Sequence, residues 1–183
     1  MAQTIEVKDT QSGGSVQYKS IPYVSSSVGE CLSAIGASCV QTVNGGNFTL
    51  DFTFVNTTVT LAKNGTSTGG GGTAIFTFPQ GLVLPLGGSS NLTITAAGDK
   101  SFLASVGSAA AGTDGTLTST EISFLPSTAA TTSSGAGTCK MKSTSTTPTP
   151  GAPVDGSSSA VSIYLNSCLN ADATGVEALT YNG

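Results

Sequence analysis

The chain has 183 residues, of which 54 are Ser or Thr, 24 are Gly and only 16 are charged, for a net charge of −4. It contains no His, Trp or Arg. That inventory excludes Ser-His-Asp and Cys-His catalysis, supplies no basic footprint for nucleic acid, and leaves few side chains for proton transfer or metal ligation.

In chain order, alternation of period two is the dominant pattern, as half-buried strands require. A first strand is predicted over Thr4–Lys8, where Ile5 and Val7 alternate with polar residues, and Gln11-Ser12-Gly13-Gly14 follows as a hinge. Residues 1–14 therefore read as a candidate exchangeable strand, of the kind that completes a neighbour's sheet through backbone hydrogen bonds. A second strand is expected over Val16–Val24. Ser27-Val28-Gly29-Glu30 has the spacing of a capping box, and Val28, Cys31, Leu32 and Ile35 follow helical spacing. A helix of about two turns is predicted there, stapled by a Cys31–Cys39 disulfide.

The clearest strand is residues 48–54, with Phe48, Leu50, Phe52 and Phe54 on one face and Thr49, Asp51 and Thr53 on the other. Further strands are expected over Thr57–Ala62, Thr73–Phe78, Asn91–Ala96, Ser101–Val106, Thr116–Phe124, Ala160–Leu165 and Gly175–Tyr181. Asn44-Gly45-Gly46, Asn64-Gly65, Gly87-Gly88 and Asp114-Gly115 mark turns. The run Gly69–Gly72 reads as a flexible hairpin tip, and residues 127–159, rich in Ser, Thr and Pro, as a long excursion of one domain spanning 1–183. About ten short strands at this spacing predict an all-β sandwich or barrel.

Four cysteines fall into two local groups, and the expected pairing is Cys31–Cys39 and Cys139–Cys168, which implies an oxidising compartment. Asn47, Asn56, Asn64 and Asn91 head Asn-x-Thr sequons and are candidate glycan acceptors. No catalytic residue is assigned, since the carboxylates, Glu121 and Asp51 among them, form no recognisable acid–base motif. Asp99, Asp114, Asp155, Asn166, Asn170 and Asp172 read as turn formers rather than calcium ligands, so no metal or other cofactor is expected. No apolar run approaches the length of a membrane span, and no signal-peptide pattern opens the chain.

The Ile5/Val7 strand with its Gly13-Gly14 hinge, the stretch from Phe76-Thr77-Phe78-Pro79 through Leu82-Val83-Leu84-Pro85-Leu86-Gly87-Gly88 to Asn91-Leu92-Thr93-Ile94-Thr95, and the closing Leu179-Thr180-Tyr181 resemble pilin-like and Ig-like β-sandwich subunits of microbial surfaces. The resemblance implies an Ig-like or pilin-like sandwich with copies of itself as partners. The leading expectation is a non-enzymatic structural subunit of an extracellular filament, pilus or surface layer, with no nucleic-acid partner and no membrane span. An adhesin that binds glycans or a host surface is the second, and would need Tyr18, Tyr23, Tyr164 and Tyr181 clustered as aromatic platforms. A virion decoration or capsid protein is the third, and thiols in place of disulfides would favour it.

Overall fold

The computed structural model describes residues 4–10, 16–22, 29–44, 47–63, 69–78, 81–84, 86–98, 100–113, 115–142, 154–156, 158–169 and 177–183. Its strands are β1 (Thr4–Thr10), β2 (Val16–Pro22), β3 (Glu30–Cys31), β4 (Ala37–Asn44), β5 (Asn47–Phe54), β6 (Thr57–Lys63), β7 (Gly69–Phe78), β8 (Leu82–Val83), β9 (Leu92–Ala96), β10 (Ser101–Gly107), β11 (Leu125–Ser133), β12 (Ala136–Cys139), β13 (Val154–Asp155), β14 (Val161–Leu169) and β15 (Glu177–Asn182). The chain divides into two compact units, Met1–Val28 with Gln41–Leu50, and Gly29–Val40 with Asp51–Gly183.

The first unit holds the hairpin of β1 and β2, an antiparallel ladder of seven pairs from Thr4↔Pro22 to Thr10↔Val16. It forms a two-stranded sheet of its own. The outer parts of β4 and β5, which form another two-stranded sheet, belong to the same unit.

The second unit is a closed antiparallel barrel. Its eight strands run in the order β14-β10-β11-β12-β9-β15-β6-β7, and a nine-pair ladder between β14 and β7 completes the ring. The chain is all-β, but it is not the expected two-sheet sandwich. One contact shows why the ring is a barrel with a filled lumen. The Tyr181 and Ser167 hydroxyls share a hydrogen bond, although β15 and β14 are not neighbours in the ring. Both side chains therefore point inward, and the period of two fixes the rest. Val59, Leu61, Leu92, Ile94, Phe102, Ala104, Leu165, Leu169 and Leu179 share that inward face and are almost fully buried. Small barrels need room for such side chains, and glycine provides it. The Gly69–Gly72 run, expected as a hairpin tip, is the first half of β7. A Cβ at Gly71 would collide with the Thr60 carbonyl oxygen, so only glycine lets β6 cross so closely.

β6 and β7 pair over only Ala62↔Gly70 and Lys63↔Gly69. Past that point β7 takes β3 as its partner, through Glu30↔Thr77 and Cys31↔Phe76. The predicted helix around residue 30 is thus replaced by a short strand and a single 3₁₀ turn, Ser33–Ile35. Its first residues, Ser27 and Val28, lie outside the described residues. The reason is local. Gly29 lies against the Phe76 ring and the Thr77 carbonyl, and Gly36 closes the turn at φ 83°. Two glycines weaken a helix, while the edge of β7 supplies ladder bonds. Phe52, Phe54, Phe76 and Phe78 pack in sequence beside this segment, with ring centroids 5.0 to 6.1 Å apart.

Residues 125–139, within or next to the expected excursion, form β11 and β12 of the barrel. Conversely, the strand predicted over Thr116–Phe124 is a 3₁₀ turn, Ser119–Ile122, closed by a capping box between Thr118 and Glu121.

Candidate functional site

The outward faces of β6, β15, β9 and β12 form one continuous surface. Cross-strand registers align Thr58, Thr180, Thr95 and Ala136 in one row, and Asn182, Thr93 and Thr138 in the next. Strand spacing makes each step along a row about 4.8 Å. Every member is uncharged, and all but the half-buried Thr180 and Asn182 are exposed. An apolar lumen with a hydroxyl-lined outside is the reverse of the polarity of a membrane barrel. Among the described residues, no helix is long and apolar enough to cross a membrane.

Two sequons sit at one end of this surface. Asn56, in a left-handed turn with φ 53°, donates its backbone N–H to Asn182 Oδ1 at 2.8 Å. Asn91 precedes β9, whose Thr93 pairs with Asn182. In both sequons the middle residue, Thr57 or Leu92, is buried, and the Asn and the Thr beside it are exposed. Asn47 is exposed at the start of β5, but its middle residue, Phe48, is itself 38% exposed. Asn64 lies outside the described residues.

The outward face of β10, β14 and β7 is covered instead, by residues 108–113 and 115–123. Asn166, fully buried, is the pin that holds this strap. Its Oδ1 accepts the Ala111 N–H at 2.9 Å, and its Nδ2 donates to the Ala109 and Glu121 carbonyls at 2.9 and 3.0 Å. Ser105 Oγ donates to the same Glu121 carbonyl at 2.7 Å. The Glu121 carboxylate accepts the Thr118 N–H at 2.7 Å and the Gly112 N–H at 3.2 Å. Gly72 and Gly107 lie directly beneath, where a Cβ would strike Asn166 Oδ1 or the Glu121 carbonyl. Glu121 and Asn166, considered for acid–base or calcium chemistry from sequence, are thus engaged in holding backbone. Among the described residues, no group of three His, Cys, Asp or Glu side chains is placed to hold a metal ion. Asp99, Asp114, Asn170 and Asp172 lie outside the described residues.

Neither expected disulfide forms; no two cysteines lie within bonding distance. The period of two forbids the Cys139–Cys168 bridge. Cys139 pairs with Leu92 and shares its inward face, whereas Cys168 neighbours the inward-facing Ser167 and therefore points outward. Two further strands, β10 and β11, separate β14 from β12. Cys31 Sγ lies 3.5 Å from the Ala37 carbonyl and Cys39 Sγ 3.7 Å from that of Val40, so each thiol turns to backbone rather than to its partner. Burial, with Cys31 and Asp51 nearby, pushes the Cys39 thiol up to about 11, and burial also raises Cys31 and Cys139. Such thiols are poor nucleophiles.

Within the barrel, Tyr164 and Tyr181 share no face. Tyr181 is sealed in the lumen, where burial raises its phenol well above the ordinary value, and Tyr164 points to the opposite side of the barrel wall. Tyr18 stands opposite Lys8 in the separate β1–β2 ladder, and Tyr23 lies outside the described residues. Ile5 and Val7, the candidate assembly positions, pair with Ile21 and Lys19 of β2. β1 is therefore neither a strand of the barrel nor a single free strand, and its outer edge carries no ladder partner among the described residues. Sequence reading had missed both the threonine rows, whose signal is the Thr-x-Thr repeat at 58–60 and 93–95, and the role of Asn166, which no local pattern marks. No protein-family model, curated protein or solved structure matches the chain.

Proposed function

We propose that the protein is a non-enzymatic structural subunit that assembles with copies of itself on an extracellular surface, as a filament, pilus or surface layer, and that the β1–β2 hairpin makes the joint. The observation that carries this reading is the contrast between the two sheets. Every strand of the barrel ring has ladder partners on both sides, whereas the hairpin is a two-stranded sheet whose outer edges carry no ladder partner among the described residues. An isolated hairpin is at best marginally stable in water, and an open edge presents unpaired N–H and C=O groups that template another strand. The barrel ring is already closed by its own strands, so this reading has copies join hairpin to hairpin.

Sedimentation and negative-stain microscopy of the purified chain test this. Concentration-dependent assemblies are expected, and Val7→Pro and Lys8→Pro, which between them remove an N–H of each phase of the β1 ladder, should abolish them while the barrel's circular dichroism persists. A chain that stays monomeric at every concentration refutes the reading. A second reading, a virion decoration or capsid subunit, is favoured by the four thiols, which suit assembly in a reducing cytoplasm.

A further inference from the structure

We infer that two copies of the chain join through β1, edge to edge and antiparallel, about a two-fold axis centred on Val7. This rests on the assembly reading above and names its contact.

The charges of β1 point to it. In the register of their own hairpin, Glu6 and Lys8 take positions opposite Ser20 and Tyr18. A two-fold axis through Val7 sets Glu6 against Lys8 of the second copy, and Lys8 against its Glu6, at directly opposed positions. Thr4 then faces Thr10, and Val7 faces its counterpart. The one poor match is Ile5 against Asp9. Such self-complementarity is what an isologous interface demands. The other edge lacks it. Centring β2 on itself would oppose Lys19 to Lys19, and Pro22 removes an N–H from that strand. Lysine and proline are the residues that guard an edge from pairing. The product is a four-stranded sheet, β2-β1-β1-β2, enough strands for a hairpin pair to stand independently.

Charge exchange in the full chain tests the inference. Glu6→Lys or Lys8→Glu turns both cross-strand pairs into like-charge pairs, and each should weaken dimerisation about tenfold or more by sedimentation equilibrium. The doubly exchanged E6K/K8E chain restores opposite charges and should recover wild-type association. Val7→Cys should give a disulfide-linked dimer under mild oxidation, because opposed residues across a two-fold lie within bridging distance. Gln17→Cys on β2 should not. Single reversals without effect, a double exchange that fails to rescue, or equal cross-linking from residue 17 would each overturn the β1 contact while leaving self-assembly standing. A wild-type chain that never associates would instead remove the assembly reading itself.

Discussion

Replacing Asn166 by leucine is the sharpest test of how this barrel is held. The volumes are similar, so the change is chiefly the loss of three hydrogen bonds: from the Ala111 N–H, to the Ala109 carbonyl, and to the Glu121 carbonyl. The Glu121 carbonyl keeps Ser105 Oγ at 2.7 Å. The Ala111 N–H and the Ala109 carbonyl lose the partner that Asn166 gave them. A buried polar group stripped of its partner costs about 1–3 kcal/mol, so N166L should destabilise the chain by roughly 2–6 kcal/mol. That is a large share of the ~5–15 kcal/mol typical of a domain. Urea unfolding followed by circular dichroism reads the loss, and hydrogen exchange should show residues 108–123 opening first. Ser105→Ala should cost about 1 kcal/mol alone. The two changes share the Glu121 carbonyl and should be non-additive when combined. Gly72→Ala should resemble N166L, because its Cβ would occupy the place of Asn166 Oδ1 and press on Ala110 Cα, 2.9 Å away. An N166L chain as stable as wild type, with exchange at 108–123 unchanged, would refute the claim that this amide pins the strap.

Alkali should destabilise the fold through groups kept protonated by burial. Desolvation, with Cys31 and Asp51 adding to it, lifts Cys39 from 9.0 to about 11, and desolvation lifts Tyr181 above its ordinary 10.0. The native state therefore holds protons that the unfolded chain releases, so stability is intact below about pH 9 and falls as pH rises beyond it. Urea midpoints should drop across that window, less steeply in C39S and Y181F; flat midpoints would contradict the assignment. In a secretory host, N-glycans should fall on Asn56 and Asn91, whose sequons are anchored by a buried middle residue with the Asn and Thr facing solvent. N56Q and N91Q should each remove one glycan by peptide mass mapping, and occupancy confined to Asn47 would count against that reasoning.

What the sequence made legible was alternation with strong contrast. β5, β6, β9 and β10 were expected nearly as they stand, because Phe, Leu, Ile and Val alternate there with Thr, Ser and Asp. β11 and β12 were hidden by composition. Leu125-Pro126-Ser127-Thr128-Ala129-Ala130 and Ala136-Gly137-Thr138-Cys139 carry small side chains, and their period of two is nearly invisible on a hydropathy scale. They are strands because β10 and β9 offer them ladders, of five pairs to β11 with one register shift and four to β12, an effect of tertiary pairing rather than propensity. The glycine run failed for a related reason. Four glycines signal a loop locally, yet β7 needs them where β6 crosses over Gly71 and where Asn166 lies on Gly72. The capping-box pattern is realised elsewhere: Glu30, the last residue of the first candidate, pairs in β3, while Thr118-to-Glu121 forms a capping box. The disulfides failed because spacing along the chain says nothing about which side of a strand a cysteine faces.

The order of strands around the ring carries one further consequence. β14 enters between β7 and β10, and β15 between β6 and β9, so the last two strands of the chain fill both gaps left by the others. Until they arrive, four long strand edges stand open, and every closing contact joins residues far apart in sequence. Such non-local pairing is slow and leaves edges exposed to neighbours. β14 bears most of that closure: it forms ladders on both sides, turns Leu165 and Leu169 into the lumen, and sends Asn166 outward to fasten the strap. Once it is seated, the ring is closed, with its shortest ladders, of two pairs each, between β6 and β7 and between β11 and β12. On the assembly proposed above, a sheet left open at β14 would add a second place for copies to pair, so loss of β14 seating should turn ordered association into aggregation.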